Sequence, residues 1–221
     1  MKYLDQFFSL RCCGDVLNAA APISHGAKEI TEAMGMRKLV KSIALATSDC
    51  MHIDLCSGNC LVPLLSTFTF PNVYAYGVDL RPPREGLERV RRFRYLQGDI
   101  HKLAIVPLGP ETAQPRTLHI GVAASETVIL TAMHACGNLS ERIIDLFLES
   151  CAKHLILCPC CIGKGEGWFY SIAVNCWHMG KYEAWCLYLA GVLHEGGVDN
   201  VHVIKDTNVL SPRNLFIVAH K

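Results

Sequence analysis

Ile53-Asp54-Leu55-Cys56-Ser57-Gly58-Asn59-Cys60 is the stretch that decides the fold. Its apolar first half reads as a short buried strand, and the small residues after it read as a tight turn into a helix. A second apolar run, 73–80, carries Asp79 near its end, 21 residues after Gly58. A third acid, Asp99, comes 20 residues later, behind Tyr95-Leu96-Gln97-Gly98. Three strand-like runs, each with an acid at or near its end, point to a nucleotide-type ligand lying across the top of a parallel sheet.

Outward from that turn the chain alternates. Residues 28–45 have helical spacing, with Ile30, Met34, Leu39 and Ile43 apolar and Gly35 either weakening the helix or breaking it. Strands are expected at 51–56, 73–80, 93–96, 126–132, 154–158, 198–205 and 215–220. Helices are expected at 61–68, 139–153 and 168–193, the last broken near Gly180, with a short one at 85–92. Pro107, Gly109, Pro110 and Pro115 mark a loop, and 163–167 is rich in glycine. Strands alternating with helices make βαβ units and a mostly parallel sheet, so the fold class is α/β.

The 221 residues are enough for one such domain with its own core. Net charge is +1, which selects neither a strongly basic nor an acidic partner. No apolar run reaches the roughly 20 residues of a membrane helix, and the early acid Asp5 argues against a secretory leader. Twelve cysteines in a chain of this length and regularity read as free thiols rather than a disulfide scaffold. A reducing compartment, cytoplasmic or nuclear, is therefore expected, with no membrane association.

Gly58 in the first βα turn permits positive φ or close approach of a ligand. Asp54 is placed to accept from a ligand amine or to hold the turn. Asp79 sits where an acid accepts both hydroxyls of a ribose, and Asp99 where one takes an adenine amine. Dinucleotide binding is disfavoured, because G-x-G-x-x-G is absent and an acid after the third strand is not part of that fingerprint.

Asp54-x-Cys56-x-Gly58-x-Cys60, Asp79 and Gly98-Asp99 together resemble the cofactor site of class I S-adenosylmethionine-dependent methyltransferases. Cysteines 56 and 60 stand where that family's pattern has its first and third glycines. The run Leu130-Thr-Ala-Met-His134-Ala-Cys136-Gly137-Asn-Leu139, paired with Cys158-Pro159-Cys160-Cys161, is similar to one subgroup. So are Arg37-Lys38 before the first strand and Leu210-Ser211-Pro212-Arg213-Asn214 near the end. That subgroup includes the methyltransferase module of the glutathione S-transferase C-terminal-domain-containing protein and, more distantly, a tRNA ribose methyltransferase.

The resemblance implies a Rossmann-like seven-stranded sheet with helices on both faces and the last strand antiparallel. It covers 28–221 as the domain and leaves 1–27 as an N-terminal extension. The implied cofactor is S-adenosyl-L-methionine. Asp54, Cys56 and Gly58 would lie at its methionine part, Asp79 at the ribose and Asp99 at the adenine. The implied acceptor is RNA, tRNA included; protein partners are not indicated. His134, just past the fourth strand, would face substrate and serve as general base for a hydroxyl, or else order its loop. The alternative is a degenerate fold that binds or scaffolds without catalysis, motivated by Cys56, Cys60 and the lack of a D/N-P-P-Y/F motif.

His134, Cys136, Cys158, Cys160 and Cys161 should converge where strands four and five end. A zinc site and a catalytic thiol at Cys160 are both conceivable there. C-x-C-C is tighter than standard zinc spacing and adjacent cysteines point apart, so no metal ligand is assigned. The arginines between 81 and 94 read as a solvated helix face or as a phosphate patch. Trp168, Phe169, Tyr170, Trp177 and Trp185 either pack the core or stack a base.

Overall fold

The structure is a computed structural model that describes residues 2–20, 22–108, 118–123, 126–163 and 168–221. Three helices lead in: α1 (Tyr3–Phe8), α2 (Cys13–Ala20) and α3 (Gly26–Ala46). The alternation follows as β1 (Cys50–Leu55), α4 (Leu61–Thr69), β2 (Val73–Asp79), β3 (Phe93–Gln97), β4 (Leu103–Pro107), β5 (Leu118–Val122) and β6 (Thr127–Ala135). The second half is α5 (Asn138–Glu149), β7 (His154–Pro159), α6 (Trp168–Asn175), α7 (Lys181–Glu195), β8 (Asn200–Lys205) and β9 (Leu215–His220).

Seven strands form one sheet in the order β3-β2-β1-β6-β7-β9-β8. β1, β2, β3, β6 and β7 pair in parallel, and β9 runs antiparallel to both of its neighbours. This is the expected Rossmann-like arrangement with a reversed last strand. Side chains alternate between faces with the two-residue strand period. Ile53, Leu55, Leu130 and Leu157 join the core that holds Phe147 of α5 and Trp185 of α7. Cys50, Ile129, Ile156 and Phe216 join the opposite core, built with α3 and α4. β1 is buried along its whole length, as a parallel strand covered on both faces must be.

Residues 2–20 belong to that second core. Tyr3, Phe7, Val16 and Ala20 are buried there, α1 packing on α3 and α2 on α4. The cover explains why every residue of α3 from Ile30 to Met36 is buried, polar ones included. The Tyr3 hydroxyl and Lys38 Nζ both donate to Asp206, tying the first helix to the loop before β9.

Four expectations need correction. Gly35 does not break α3; a Cβ there would meet Val209 and Phe216 at 2.9 and 3.0 Å, so the glycine lets the end of the chain seat against the helix. The helix expected at 85–92 is only a 3-10 turn, Leu87–Arg89, because Gly86 enters it with φ of 93° and Pro82-Pro83 precede it. The fourth strand of the main sheet runs on to Ala135. β4 and β5 form a separate two-stranded parallel sheet that the sequence reading missed. Residues 109–115 of the expected loop and 164–167 of the glycine-rich loop lie outside the described residues. Among the described residues, no helix is long and apolar enough to cross a membrane.

Candidate functional site

The strand order reverses between β1 and β6, and in open α/β sheets ligands sit beyond the carboxyl ends of the strands at that point. A cavity of about 430 Å³ opens there, within the usual range for small-molecule sites. Asp54 near the end of β1, Cys56 and Gly58 in the turn after it, Asp79 at the end of β2, and His134 at the end of β6 all line it, with Glu32 of α3 forming the opposite wall. Asp99 is not among its lining residues. It caps the turn after β3, accepting the His101 N–H at 3.0 Å.

The turn has the backbone of a three-glycine turn. Cys56, Gly58 and Cys60 all take left-handed φ, at 57°, 58° and 61°. That conformation costs an L-residue about 1–2 kcal/mol, so two cysteines hold a strained shape that the surroundings must maintain. Cys60 is fully buried at the start of α4. Its room comes from Gly77 across on β2, where a Cβ would stand 3.0 Å from Cys60 Sγ and 3.2 Å from Phe93. Asn59 Oδ1 accepts the Leu61 N–H and so caps α4. Burial and the nearby carboxylates of Asp79 and Asp54 push the Cys56 thiol up to about 12, so it is a neutral wall residue.

Asp79 is fixed on both oxygens. Gly58 N–H donates to Oδ2 at 2.8 Å, Arg81 N and Nε donate to Oδ1 at 3.0 Å each, and Arg81 Nη2 reaches Oδ2 at 3.1 Å. Burial raises its pKa, but Arg81 and the two backbone amides outweigh this and hold it below the usual carboxylate range. The Arg81 side chain is 65% exposed, so this partner is free to swing into solvent.

Asp54 lies deeper and behaves oppositely. Thr131 Oγ1 donates to its Oδ1 at 2.6 Å, and His52 Nε2 lies 2.7 Å from the same hydroxyl. Since Thr131 spends its one proton on Asp54, His52 donates through Nε2, which stitches β1 to β6 beneath the cavity. Burial pushes Asp54 up to about 7, against the hydrogen bond from Thr131, and pushes His52 down to about 3.

These shifts have opposite signs in stability. Between the unfolded aspartate value of 3.8 and about 7 the native chain holds the extra proton on Asp54, so this group makes stability fall as pH rises through that window. His52, protonated only in the unfolded chain between about 3 and 6.5, makes stability rise with pH over its own window. The Asp54 contribution is therefore read as a difference. Asp54→Asn should gain stability relative to wild type from about pH 4 to about pH 7 and level off above that, in paired urea melts across pH. A pH-independent difference would show that Asp54 is ionised throughout.

His134 occupies a β-bulge. The β6–β7 register slips between Met133 and Ala135, and His134 itself has φ of 62°. Bulges re-aim side chains, and here the ring turns toward α3, its Nε2 lying 2.8 Å from Glu32 Oε2. The Glu32 side chain is 3% exposed. Sequence reasoning missed Glu32, and also Arg81, which is the Asp79 partner.

Three of the arginines after β2 are spent on structure. Arg92 donates to the carbonyls of Thr67, Phe70, Pro71 and Val73, Arg84 to those of Ala20 and Pro22, and Arg94 to that of Phe93. Trp185 is fully buried and stacks on Tyr188 at 5.2 Å between ring centroids, so it packs the core. Trp177 is 60% exposed. Cys158 is buried, its thiol 3.5 Å from the Arg213 carbonyl, and it is not in the group formed by Cys136, Cys160 and Cys161.

A seven-stranded sheet of this order, with a glycine-type turn and an acid at the end of the neighbouring strand, defines a methyltransferase-like domain. Residues 25–164 match the sequence profile of a family described as a methyltransferase domain; this is more than half of the chain, and the protein belongs to that family. No curated protein matches the chain. Among solved structures it is similar to SAM-bound CalS10, an amino pentose methyltransferase from Micromonospora echinaspora. The TM-score is 0.51 at 13% identity, over 86% of this chain and 92% of that one. A SAM-dependent methyltransferase from Aquifex aeolicus gives a TM-score of 0.48 at 12% identity, over 94% and 96%. PigF, solved with SAH, gives 0.47 at 14% identity, over 87% of this chain but only 59% of PigF. The similarity to CalS10 is one of fold.

Proposed function

We propose that this chain binds S-adenosyl-L-methionine in the cavity at the end of β1 and transfers its methyl group to an acceptor that enters over His134. The observation that carries this reading is the turn: three left-handed residues at 56, 58 and 60, with the Gly58 amide held on the Asp79 carboxylate. A ribose diol fits that carboxylate once Arg81 swings out, and the methionine part fits between Cys56 and Glu32. The adenine reaches toward Asp99 from there. The bound cofactor supplies an electrophilic methyl on sulfur, and the protein's task is to align the acceptor with it. His134, its Nε2–H given to Glu32, keeps Nδ1 available to take a hydroxyl proton.

The acceptor class we propose is RNA, tRNA included. It rests on the pairing of His134-x-Cys136-Gly137 with Cys158-Pro159-Cys160-Cys161 and on the subgroup that shares it, with residues 1–27 as an extension bordering the site through Ser24 and His25. A cytoplasmic or nuclear setting fits twelve cysteines that are all free.

A second reading, a binding module without catalysis, is favoured by one observation: Asp79 is already saturated by Arg81. Calorimetry separates the two. S-adenosylmethionine and S-adenosylhomocysteine should both bind, and Cys56→Gly, which relieves about 1–2 kcal/mol of backbone strain and opens the wall, should bind at least as tightly and melt no lower. No heat with either ligand, in wild type and Cys56→Gly alike, would leave only the second reading.

A further inference from the structure

Three thiols that the proposed cofactor site does not use meet at the carboxyl ends of β6 and β7. Cys136 follows the His134 bulge, and Cys160 and Cys161 follow Pro159, the last residue of β7. Cys136 Sγ lies 2.9 Å from Cys160 Sγ, and Cys160 Sγ lies 3.5 Å from Cys161 Sγ. All three sulfurs fall within 4.8 Å of one another. The expectation that neighbouring cysteines point apart holds within a strand. It fails here because residues 160 and 161 are past the end of β7, where the chain bends.

We propose that Cys136, Cys160 and Cys161 bind one zinc ion as thiolates and leave its fourth position open. Zn–S bonds of about 2.3 Å in a tetrahedron set the sulfurs about 3.8 Å apart; all three sulfurs already lie within 4.8 Å of one another, and the pairs at 2.9 and 3.5 Å have only to open slightly to admit the ion. An all-thiolate set selects a soft or borderline ion over magnesium or calcium. Each thiol gives its proton to solvent as its bond to the ion forms, so loading is accompanied by proton release. Cys136 and Cys161 are exposed and Cys160 is half-buried, which leaves the ion reachable and its fourth position facing solvent for water or a soft anionic donor.

Three ligands with one open position is the pattern of zinc sites that bind a further group rather than of closed structural ones. The site also bears on its neighbour. Cys136 Sγ lies 3.3 Å from the His134 carbonyl, so an ion bridging Cys136 to the end of β7 clamps the bulge that aims His134. This inference does not depend on cofactor binding.

The test uses the full chain, expressed with added zinc and purified under reducing conditions without chelator. Elemental analysis should give close to one zinc per chain, and cobalt(II) in its place should show thiolate-to-cobalt charge-transfer absorption with tetrahedral visible bands. Cys136→Ser and Cys160→Ser should weaken zinc, read by competition with a chromophoric chelator, by more than about 100-fold, the upper range for losing a mere outer-shell partner. Cys176→Ser, at an exposed cysteine elsewhere, should leave it unchanged. Circular dichroism confirms that each variant is folded. Zinc far below one per chain in wild type overturns the site. So does equal zinc in Cys160→Ser, or a Cys136–Cys160 disulfide in the reduced preparation.

Discussion

Replacing Asp79 with asparagine should weaken S-adenosylmethionine and S-adenosylhomocysteine by about 10- to 100-fold, while Arg81→Ala should leave them equal or up to about fivefold tighter. The first figure follows from losing hydrogen bonds to a charged acceptor, about 1.5–3 kcal/mol at about 1.4 kcal/mol per tenfold. In Asp79→Asn one carboxylate oxygen becomes an amide donor. It then faces either the Gly58 N–H or the ribose hydroxyls with the wrong polarity. The second figure follows from exposure. Arg81 is a solvent-exposed partner, and such pairs are worth about 0–1 kcal/mol, the amount a ribose must spend to displace it. The opposite signs give the comparison its force. A merely structural Asp79–Arg81 pair would make both variants lose melting temperature with no change in ligand Kd. Calorimetry with both ligands and paired melts measure this, and equal affinities in Asp79→Asn would remove Asp79 from the cofactor site.

Much of this frame is legible in the sequence because it is written in local chemistry. Strand, glycine turn and helix at 50–69, and an acid at the end of β2, obey the periods of 2 and 3.6 and the fixed geometry of a βα turn. What escaped depends on distant segments. β4 and β5 are five residues each and pair across a stretch rich in proline and glycine, so neither run carries a pattern of its own. Glu32 looks like a solvated residue on an amphipathic helix; it is buried because it faces His134 at the end of β6, on a helix that α1 covers from the other side. Cys56 and Cys60 read as departures from a glycine pattern, and only backbone angles reveal that the glycine conformation persists. Gly77, which makes room for Cys60, sits on another strand where nothing marks it. The bulge at His134 has the same origin, since a register slip is a property of two strands and not of one.

Glu32 gives the second large effect. His134→Ala should lower methyl transfer to the proposed acceptor by about 10²- to 10⁴-fold, the range for a positioned proton acceptor. Glu32→Gln should lose much of the same factor. The carboxylate only accepts, so it holds the Nε2–H tautomer and leaves Nδ1 free for the substrate proton. A glutamine amide rotates and offers a donor as readily as an acceptor, which lets the ring take the opposite tautomer and present a proton where a lone pair is needed. Cofactor affinity should hold in both variants, because the ribose and the turn are untouched. Stability separates this reading from a purely structural one. Glu32 is a buried carboxylate whose nearest cation, Lys28 Nζ, stands 3.7 Å away, so neutralising it relieves desolvation even as it weakens one hydrogen bond. The expected result is therefore a slow enzyme with an unchanged or slightly higher melting temperature. If Glu32→Gln kept full turnover and melted lower, the pair would serve only to order the bulge, and the proton acceptor would have to be sought elsewhere on the rim.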